Sequence, residues 1–260
     1  MTLIDAAHAA MEEAPQDDAA RLRFYARIAD GEMFLLLEAE VEGDAVTPRV
    51  FDLEDGPVVL IFDTDERLAT FTDAVAPYAA LPGRVIAAQL AGQGIGIGLN
   101  LGIAPSSFLI APEAVDWLAA TLGHAPSEVQ ATPIAFHAPG GLPEALIAGL
   151  DAKLARAGGL AAAALLAGVT YSNGRRGHML ALIAAVPQAK AALARAVAEA
   201  LTFSGVEAGE LDVAFLAADD PALSAIARVA MPFDLPQPEV QKAAAATAPG
   251  MDPDRPPRLR

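Results

Sequence analysis

The chain has 260 residues, a length that favours two domains of about 100–130 residues each. Hydrophobic residues make up 54% and charged residues 19%, a composition that excludes a disordered chain. The formal net charge of −16 opposes binding to nucleic acids and anionic membranes, and the lack of cysteine excludes disulfides, thiolate metal sites and cysteine nucleophiles.

The N-terminal part of the chain begins with two helical patterns. Residues 2–13 are predicted to form a helix with Thr2 as its N-cap, and residues 18–28 a second helix. Gly31 ends the helical pattern. Because an acidic residue stands near the start and no long apolar stretch follows, we expect no secretory signal here.

Strand patterns follow. From residue 35 the apolar period changes to two, which predicts a half-buried strand over 35–42. Turn residues then separate it from strands predicted over 46–52 and 58–62, so the three would form an antiparallel meander. The solvent face of the first strand would carry three glutamates, Glu38, Glu40 and Glu42.

Glycine marks the next segment. After a helix predicted over 84–91, residues 94–99 alternate glycine with branched residues, which predicts a strand whose bare face lets another backbone approach closely. The spacing is not that of a dinucleotide-binding loop. A short strand over 108–110 precedes a helix from Pro112 to Gly123. The apolar stripe of this helix is Val115, Leu118 and Leu122.

Proline and glycine then accumulate without apolar periodicity, as is typical of a domain boundary. The sequence therefore predicts an N-terminal domain over 1–123, a linker over 124–141 and a C-terminal domain over 142–235. Residues 236–260 are rich in proline, alanine and arginine, and we expect them to be a disordered tail. Each domain is predicted to be α+β, with a mostly antiparallel or mixed sheet flanked by helices.

The C-terminal domain is predicted to contain a hairpin. The turn at 172–177 contains Asn-Gly and joins apolar strands over 161–171 and 178–186. An ion pair between Arg195 and Glu199, four residues apart, would stabilise the helix that follows the hairpin. The remaining predicted elements are helices over 142–154, 188–201 and 221–229 and a strand over 211–216.

Short segments combine turn residues with apolar patterns in a fixed order. They are Phe51-Asp52-Leu53-Glu54-Asp55-Gly56, Phe62-Asp63-Thr64-Asp65-Glu66, Gly98-Leu99-Asn100-Leu101-Gly102, Leu109-Ile110-Ala111-Pro112-Glu113, Leu211-Asp212-Val213 and Met231-Pro232-Phe233. Over residues 5–235 the chain thereby resembles the SseB family, the bacterial "enhanced serine sensitivity" proteins, which have an N-terminal and a C-terminal domain. It departs from the frequent Asn-Pro of the family, since Leu101 follows Asn100. The resemblance implies no catalytic residues, because the family has no established activity.

An enzymatic interpretation rests on Asp63 and Asp65, which follow an apolar strand. Haloacid-dehalogenase-like phosphatases carry such a pair, in which one aspartate attacks phosphorus and the other handles the leaving-group proton. The other parts of a Mg²⁺-dependent site would be two metal-binding acids and a countercharge, Asp219 and Asp220 with Lys153 or Lys190.

A structural interpretation of the same aspartate is favoured. Glu66 and Arg67 stand where such phosphatases have a small residue and threonine, and the strand lies in a predicted antiparallel meander. Asp63 and Glu66 have the spacing of a helix capping box, in which Asp63 would accept a hydrogen bond from a free N–H group. We therefore predict a helix cap and assign no catalytic residue.

Other candidate residues carry weaker signals. The histidines show no metal-ligand spacing, and no metal or cofactor site is predicted from His8, His124, His137 and His178. Arg175 and Arg176, at the hairpin tip, are either solvated or hold an anion. Trp117 is predicted to be a packing anchor rather than a binding residue. No hydrolase triad is predicted.

The sequence therefore favours a non-catalytic, cytoplasmic protein that binds another protein or a small ligand. The glycine-faced strand and the cleft between the two domains are the predicted binding surfaces. A third possibility is self-association through an edge of the N-terminal sheet, although the glutamates predicted on its face oppose burial of that face. The Mg²⁺-dependent phosphatase with Asp63 and Asp65 is the alternative function.

Overall fold

The computed structural model describes residues 1–40, 46–124, 131–205 and 211–236. Its helices are α1 (Leu3–Glu13), α2 (Asp18–Asp30), α3 (Asp65–Thr72), α4 (Gly83–Leu90), α5 (Pro112–Gly123), α6 (Glu144–Leu154), α7 (Lys190–Phe203) and α8 (Leu223–Ala227). Its strands are β1 (Glu32–Leu36), β2 (Val50–Leu53), β3 (Gly56–Phe62), β4 (Tyr78–Pro82), β5 (Gly96–Leu99), β6 (Phe108–Ile110), β7 (Pro133–His137), β8 (Ala163–Tyr171), β9 (Arg176–Ile183), β10 (Leu211–Leu216) and β11 (Met231–Phe233). The predicted α+β class is confirmed.

The first sheet is mixed. Its strand order is β4-β1-β3-β5-β6, with β2 also paired to β3. β3 runs antiparallel to β1 and β2 but parallel to β5. The predicted antiparallel meander is therefore wrong, because β1 pairs with β3 and β4. Within the described residues, a single bridge, Leu37 to Pro48, connects the chain after β1 with the chain before β2. A parallel pair needs a long crossover, here through α3, β4 and α4, which no local pattern reveals.

β1 begins three residues before the predicted strand and ends sooner. Met33 and Leu35 pack into the core on one side of the sheet, and Leu36 packs on the other. Because both faces are covered, the apolar residues run continuously instead of alternating. The glutamates predicted on a strand face do not lie in β1, since Glu38 and Glu40 follow it exposed and Glu42 lies outside the described residues.

Helices cover both faces of the first sheet. α1, α2, α4 and α5 share one core, in which Phe24, Ile28 and Leu118 are fully buried. α3 covers the other face through Leu68. The predicted stripe of α5 is confirmed, and so is the Thr2 cap of α1, which forms a capping box with Asp5.

The glycine-faced strand is β5, and it lies buried between β3 and β6. A Cβ atom at Gly96 would lie 2.7 Å from the carbonyl oxygen of Ile110, and one at Gly98 would lie 2.5 Å from a methyl group of Leu101. The predicted close approach is therefore confirmed. Since every residue of β5 is buried, this strand is not a surface for a ligand, which corrects its interpretation as a binding surface.

The second sheet has the order β10-β9-β8-β11, with β7 also paired to β8. The predicted hairpin is confirmed as β8 and β9, which are antiparallel, whereas β10 runs parallel to β9. β7 lies inside the segment predicted as a linker, of which residues 125–130 are outside the described residues. The predicted domain boundaries stay predictions, and the predicted tail, from residue 237 on, lies outside the described residues.

The second sheet is also covered on both faces. α6 and α7 cover one face through the buried Leu146, Leu150 and Leu193, and α8 covers the other through Ile226. The last residue of α7, Phe203, leaves this core and packs into the helical core of the first sheet. The two halves of the protein therefore meet along α2 and α7.

Candidate functional site

The first candidate position lies where two parallel strands of the first sheet end. Asp63 follows β3 and Asn100 follows β5, so their parallel pairing puts both residues at one edge of the sheet. The backbone N–H of Asp63 donates to Oδ1 of Asn100 over 3.2 Å. Asn100 is fully buried and adopts a left-handed backbone, with φ of 49°. This edge is where enzymes with parallel sheets place catalytic groups.

The carboxylate of Asp63 is occupied by protein groups. Nη1 of Arg67 donates to Oδ1 over 2.7 Å, and the Thr2 hydroxyl donates to Oδ2 over 2.5 Å. The Asp63 side chain is only 4% exposed. The predicted capping role is wrong, because the N-cap of α3 is Thr64, whose side chain accepts from the backbone N–H of Arg67.

A second aspartate, Asp5, binds the same arginine as Asp63. Asp5 of α1 accepts two hydrogen bonds from Arg67, over 3.0 and 2.6 Å, and one from the Ser106 hydroxyl over 2.6 Å. Ser106 in turn accepts from Nδ2 of Asn100 over 2.9 Å. The hydrogen bonds from Arg67 hold the pKa of Asp5 well below its ordinary value, against the effect of burial, and those from Ser106 and Thr2 act in the same direction. The cluster is a closed network of ion pairs and hydrogen bonds.

The parts of a phosphatase site are not brought together. Asp65 is the exposed first residue of α3 and accepts from the N–H of Glu66. Asp219 and Asp220 follow β10 in the other sheet. Lys190 lies over the ring of Phe215, 5.5 Å from its centroid. Lys153 forms an ion pair with Asp30, in a cluster of charged residues that connects the two halves of the protein. The geometry opposes the alternative function.

That ion cluster links the two halves of the protein, where a cleft was predicted. Nζ of Lys153 lies 2.6 Å from Glu199 and 2.8 Å from Asp30. Arg84 makes two hydrogen bonds of 3.0 Å to Glu199 and one of 2.5 Å to Asp30. Glu199 therefore binds Arg84 and Lys153, and the predicted pair with Arg195 is wrong. Burial opposes ionisation, but the two cations outweigh it, so the pKa of Asp30 and that of Glu199 are both lowered.

The second sheet brings two histidines to one row. His137 of β7 pairs with Gly168 of β8, which pairs with His178 of β9. Residues directly opposite one another in antiparallel strands project from the same face, so both imidazoles share a face and a glycine lies between them. A Cβ atom at Gly168 would lie 2.0 Å from Nδ1 of His137. The ring of His137 therefore occupies the space that a side chain at position 168 would need.

A cavity of about 500 Å³ opens beside these histidines. Its lining consists of His137, Ala138, Gly140, Arg176, Gly177 and His178. Nε2 of His178 lies 3.0 Å from the carbonyl oxygen of Gly140, and Nδ1 of His137 lies 3.4 Å from that of Ala138. Among the described residues, Nε2 of His137 and Nδ1 of His178 are buried without a hydrogen-bond partner. An uncompensated buried nitrogen is costly, so a bound group that pairs with it would stabilise the site.

The other histidines lie elsewhere. His8 packs edge-on against Phe24 and Phe108, and His124 follows α5, where its Nδ1 lies 2.7 Å from the carbonyl oxygen of Ala120. Over the described ranges of the chain, no group of three or more histidine, aspartate or glutamate side chains could hold a metal ion. The sequence prediction missed the cavity because it placed His137 in a linker.

The hairpin arginines differ from one another. Arg175 lies over the ring of Tyr171 and donates to Oδ2 of Asp212 over 2.5 Å, so it is neither simply solvated nor a free anion site. The Tyr171 hydroxyl donates to the same carboxylate, and burial together with this bond raises the pKa of Tyr171. Arg176 is exposed and faces the cavity instead.

Trp117 both packs and remains accessible. Its ring meets those of Tyr25 and Phe203 edge-on, with centroids 5.6 and 6.3 Å away, as expected of a packing anchor. It is nevertheless 40% exposed and lines a hollow of about 230 Å³ with Arg21, Leu22, Tyr25 and Ala114.

One family model matches the chain. Residues 4–117 match the model described as SseB protein N-terminal domain, a segment that runs from α1 into α5 and includes Asp5, Asp63 and Arg67. Comparisons with curated proteins and with solved structures returned no match. The predicted resemblance is confirmed over residues 4–117, and its C-terminal part stays a prediction.

Proposed function

We propose that this chain, a member of the SseB family through residues 4–117, is a non-catalytic binding module that takes a small ligand into the cavity beside His137 and His178. The observation that carries the proposal is the pair of buried ring nitrogens without partners, one on each histidine. The cavity is open to solvent and has a volume of about 500 Å³, which leaves room for a small molecule.

The contrast with Asp63 supports a non-catalytic role. A nucleophilic carboxylate needs contact with substrate, whereas this one is 4% exposed and already bound by Arg67 and Thr2. The two histidines of the second sheet differ from Asp63 in this respect, because one ring nitrogen of His137 and one of His178 have no hydrogen-bond partner among the described residues.

A thermal-shift panel on the full chain tests the proposal. Carboxylates, phosphates, sugars, nucleosides and amines are added in turn to the natural protein and to His178→Leu, whose folding is checked by circular dichroism. A compound that binds the native state raises the melting temperature, and the rise grows with the logarithm of its concentration once that concentration exceeds Kd. The proposal predicts a compound that stabilises the natural protein but not His178→Leu. No such compound, or equal shifts in both proteins, would contradict it.

A partner protein is the second candidate, and the hollow beside Trp117 favours it. Partly exposed aromatic residues are enriched in protein interfaces. Trp117→Ala should then release a partner captured from the cell lysate of the source, whereas Val75→Ala, an exposed apolar control, should not. Self-association is proposed at β4 or β6, which form the two ends of the first sheet.

A cytoplasmic location is part of the proposal and rests on the absence of cysteine, which suits a reducing compartment. In the parts of the chain with described structure, no helix combines the length and apolar character required to cross a bilayer. The net charge of −16 supports partners other than nucleic acids.

A further inference from the structure

The charges around the cavity point to the class of ligand. Among the described residues that line it none is acidic, and the one that is always charged is the basic Arg176. Arg176 stands two residues before His178 on β9, so their side chains project from the same face of the sheet. It is exposed and forms no ion pair within the described part of the chain. In a protein of net charge −16, a surface with this sign is selective for anions.

Hydrogen bonds to the backbone determine what the imidazoles offer. Nε2 of His178 faces the carbonyl oxygen of Gly140, so in the neutral ring this nitrogen carries the proton and Nδ1 keeps its lone pair. Nδ1 of His137 faces the carbonyl oxygen of Ala138, which leaves the lone pair on Nε2. These two lone pairs belong to the nitrogens that lack a partner. The neutral site therefore presents two acceptors beside one cationic donor.

From this arrangement we infer that the ligand is a small organic anion that also carries a hydroxyl group, as a hydroxy acid does. Its carboxylate or phosphate accepts hydrogen bonds from the guanidinium of Arg176, which is suited to bind such groups in a bidentate manner. Its hydroxyl group donates to an unpaired ring nitrogen of His137 or His178, which the ring turns towards the cavity on binding because both nitrogens are buried in the free protein. The inference rests on the proposed function, because it names the ligand of the same cavity.

Gly168 gives the site its floor. Larger residues occupy the corresponding positions of the neighbouring rows, where Leu166 pairs with Leu180 and Ala164 with Leu182 under α6 and α7. In the next row, where Gly168 pairs with His178, the glycine has no side chain, and the ring of His137 occupies that space. Any residue larger than glycine would displace His137 and remove one of the two acceptors.

Isothermal titration of the full chain at neutral pH separates the two recognition elements. The probes are L-malate, with charge and hydroxyl, succinate, with charge alone, and glycerol, with hydroxyls alone. We expect malate to bind, succinate to bind about tenfold more weakly because an imidazole nitrogen stays unpaired, and glycerol to give no measurable binding. Arg176→Gln should weaken malate binding about tenfold or more, since it removes a charge-assisted hydrogen bond.

Arg228→Gln is the matched control. It removes the same charge from the residue after α8, where Arg228 is exposed and donates to the Ser224 carbonyl, and it should leave malate binding within about twofold. Equal affinity of malate and succinate, or equal losses in Arg176→Gln and Arg228→Gln, would overturn the inference. A neutral or cationic compound that stabilises the natural protein but not His178→Leu, without malate binding, would overturn the ligand class and leave the proposed function intact. If no compound of the panel depends on His178, both fail.

Discussion

The guanidinium of Arg67 makes two hydrogen bonds to the carboxylate of Asp5, 62 positions earlier in the sequence. This contact joins α1 to α3, which lie on opposite faces of the first sheet, around the edge where β3 ends. Because the same guanidinium also binds Asp63, one arginine compensates two buried carboxylates. At the position where an enzyme could have held a nucleophile, the carboxylate of Asp63 is bound by Arg67 and Thr2.

Removal of Arg67 should destabilise the protein strongly. Arg67→Ala leaves Asp5 and Asp63 buried without their cation, which typically costs about 3–5 kcal/mol of unfolding free energy. Urea unfolding followed by circular dichroism measures it. Arg21→Ala is the control, because Arg21 and Asp18 form an exposed pair worth about 1 kcal/mol at most. Similar losses in both variants would contradict the structural role of the Arg67 network.

The ion cluster between the halves should appear as energetic coupling. In a double-mutant cycle of Arg84→Ala and Glu199→Gln, we expect a coupling energy of about 0.5–2 kcal/mol, since the two side chains share two hydrogen bonds and Glu199 is buried while Arg84 is 36% exposed. A cycle of Arg195→Ala with Glu199→Gln should give about 0.3 kcal/mol or less. The reverse order of the two coupling energies would support the helix pair predicted from sequence.

Stability should fall in acid. The folded-state pKa of Asp5, Asp30 and Glu199 lies below the unfolded values, about 3.9 for aspartate and 4.3 for glutamate. A depressed carboxyl pKa stabilises the fold above the unfolded value, and this stabilisation is lost as pH falls through the folded value. The unfolding free energy should therefore be level between about pH 7 and 5 and decline below about pH 4. Asp5→Asn should reduce the slope of that decline, and an unchanged slope would exclude Asp5 as a contributor.

The glycines of β5 should tolerate no side chain. Gly96→Ala places a Cβ atom 2.7 Å from the backbone carbonyl of Ile110, which can move only with β6, and we expect a loss of about 1–3 kcal/mol. Gly123→Ala at the end of α5 is the control, since no heavy atom lies within 4 Å of its Cβ position. The control should unfold at or slightly above the natural midpoint because alanine favours helix. Equal stability of the two variants would contradict the packing of β5.

Local patterns predicted the helices and the hairpin well, because caps, turns and apolar stripes are local. Thr2 and Pro112 begin their helices as predicted. The position of β1 could not be predicted in this way, since Met33 and Leu36 are buried against different cores and the strand shows no alternation. The parallel pairing of β3 with β5 depends on a long crossover, which local patterns do not predict. The hydrogen bond between Asp63 and Asn100 results from this pairing and could not be predicted either.

Half of the cavity could have been predicted. The hairpin turn fixes the register that sets Gly168 opposite His178, and a glycine within a strand indicates a close approach. The other half could not, because His137 lies on β7, in a segment whose prolines and glycines predicted a linker. Glu199 is a similar case, since its helix offers Arg195 nearby while tertiary packing supplies Arg84 and Lys153.

Histidine side-chain NMR during titration with malate examines the proposed site itself. Imidazole ¹⁵N resonances of the four histidines in the full chain are assigned with single His→Gln variants. We predict that the resonances of His137 and His178 shift with malate, while those of His8 and His124 stay in place, because these lie in other parts of the fold. Shifts of equal size at all four histidines, or none at His137 and His178, would contradict a ligand site in this cavity.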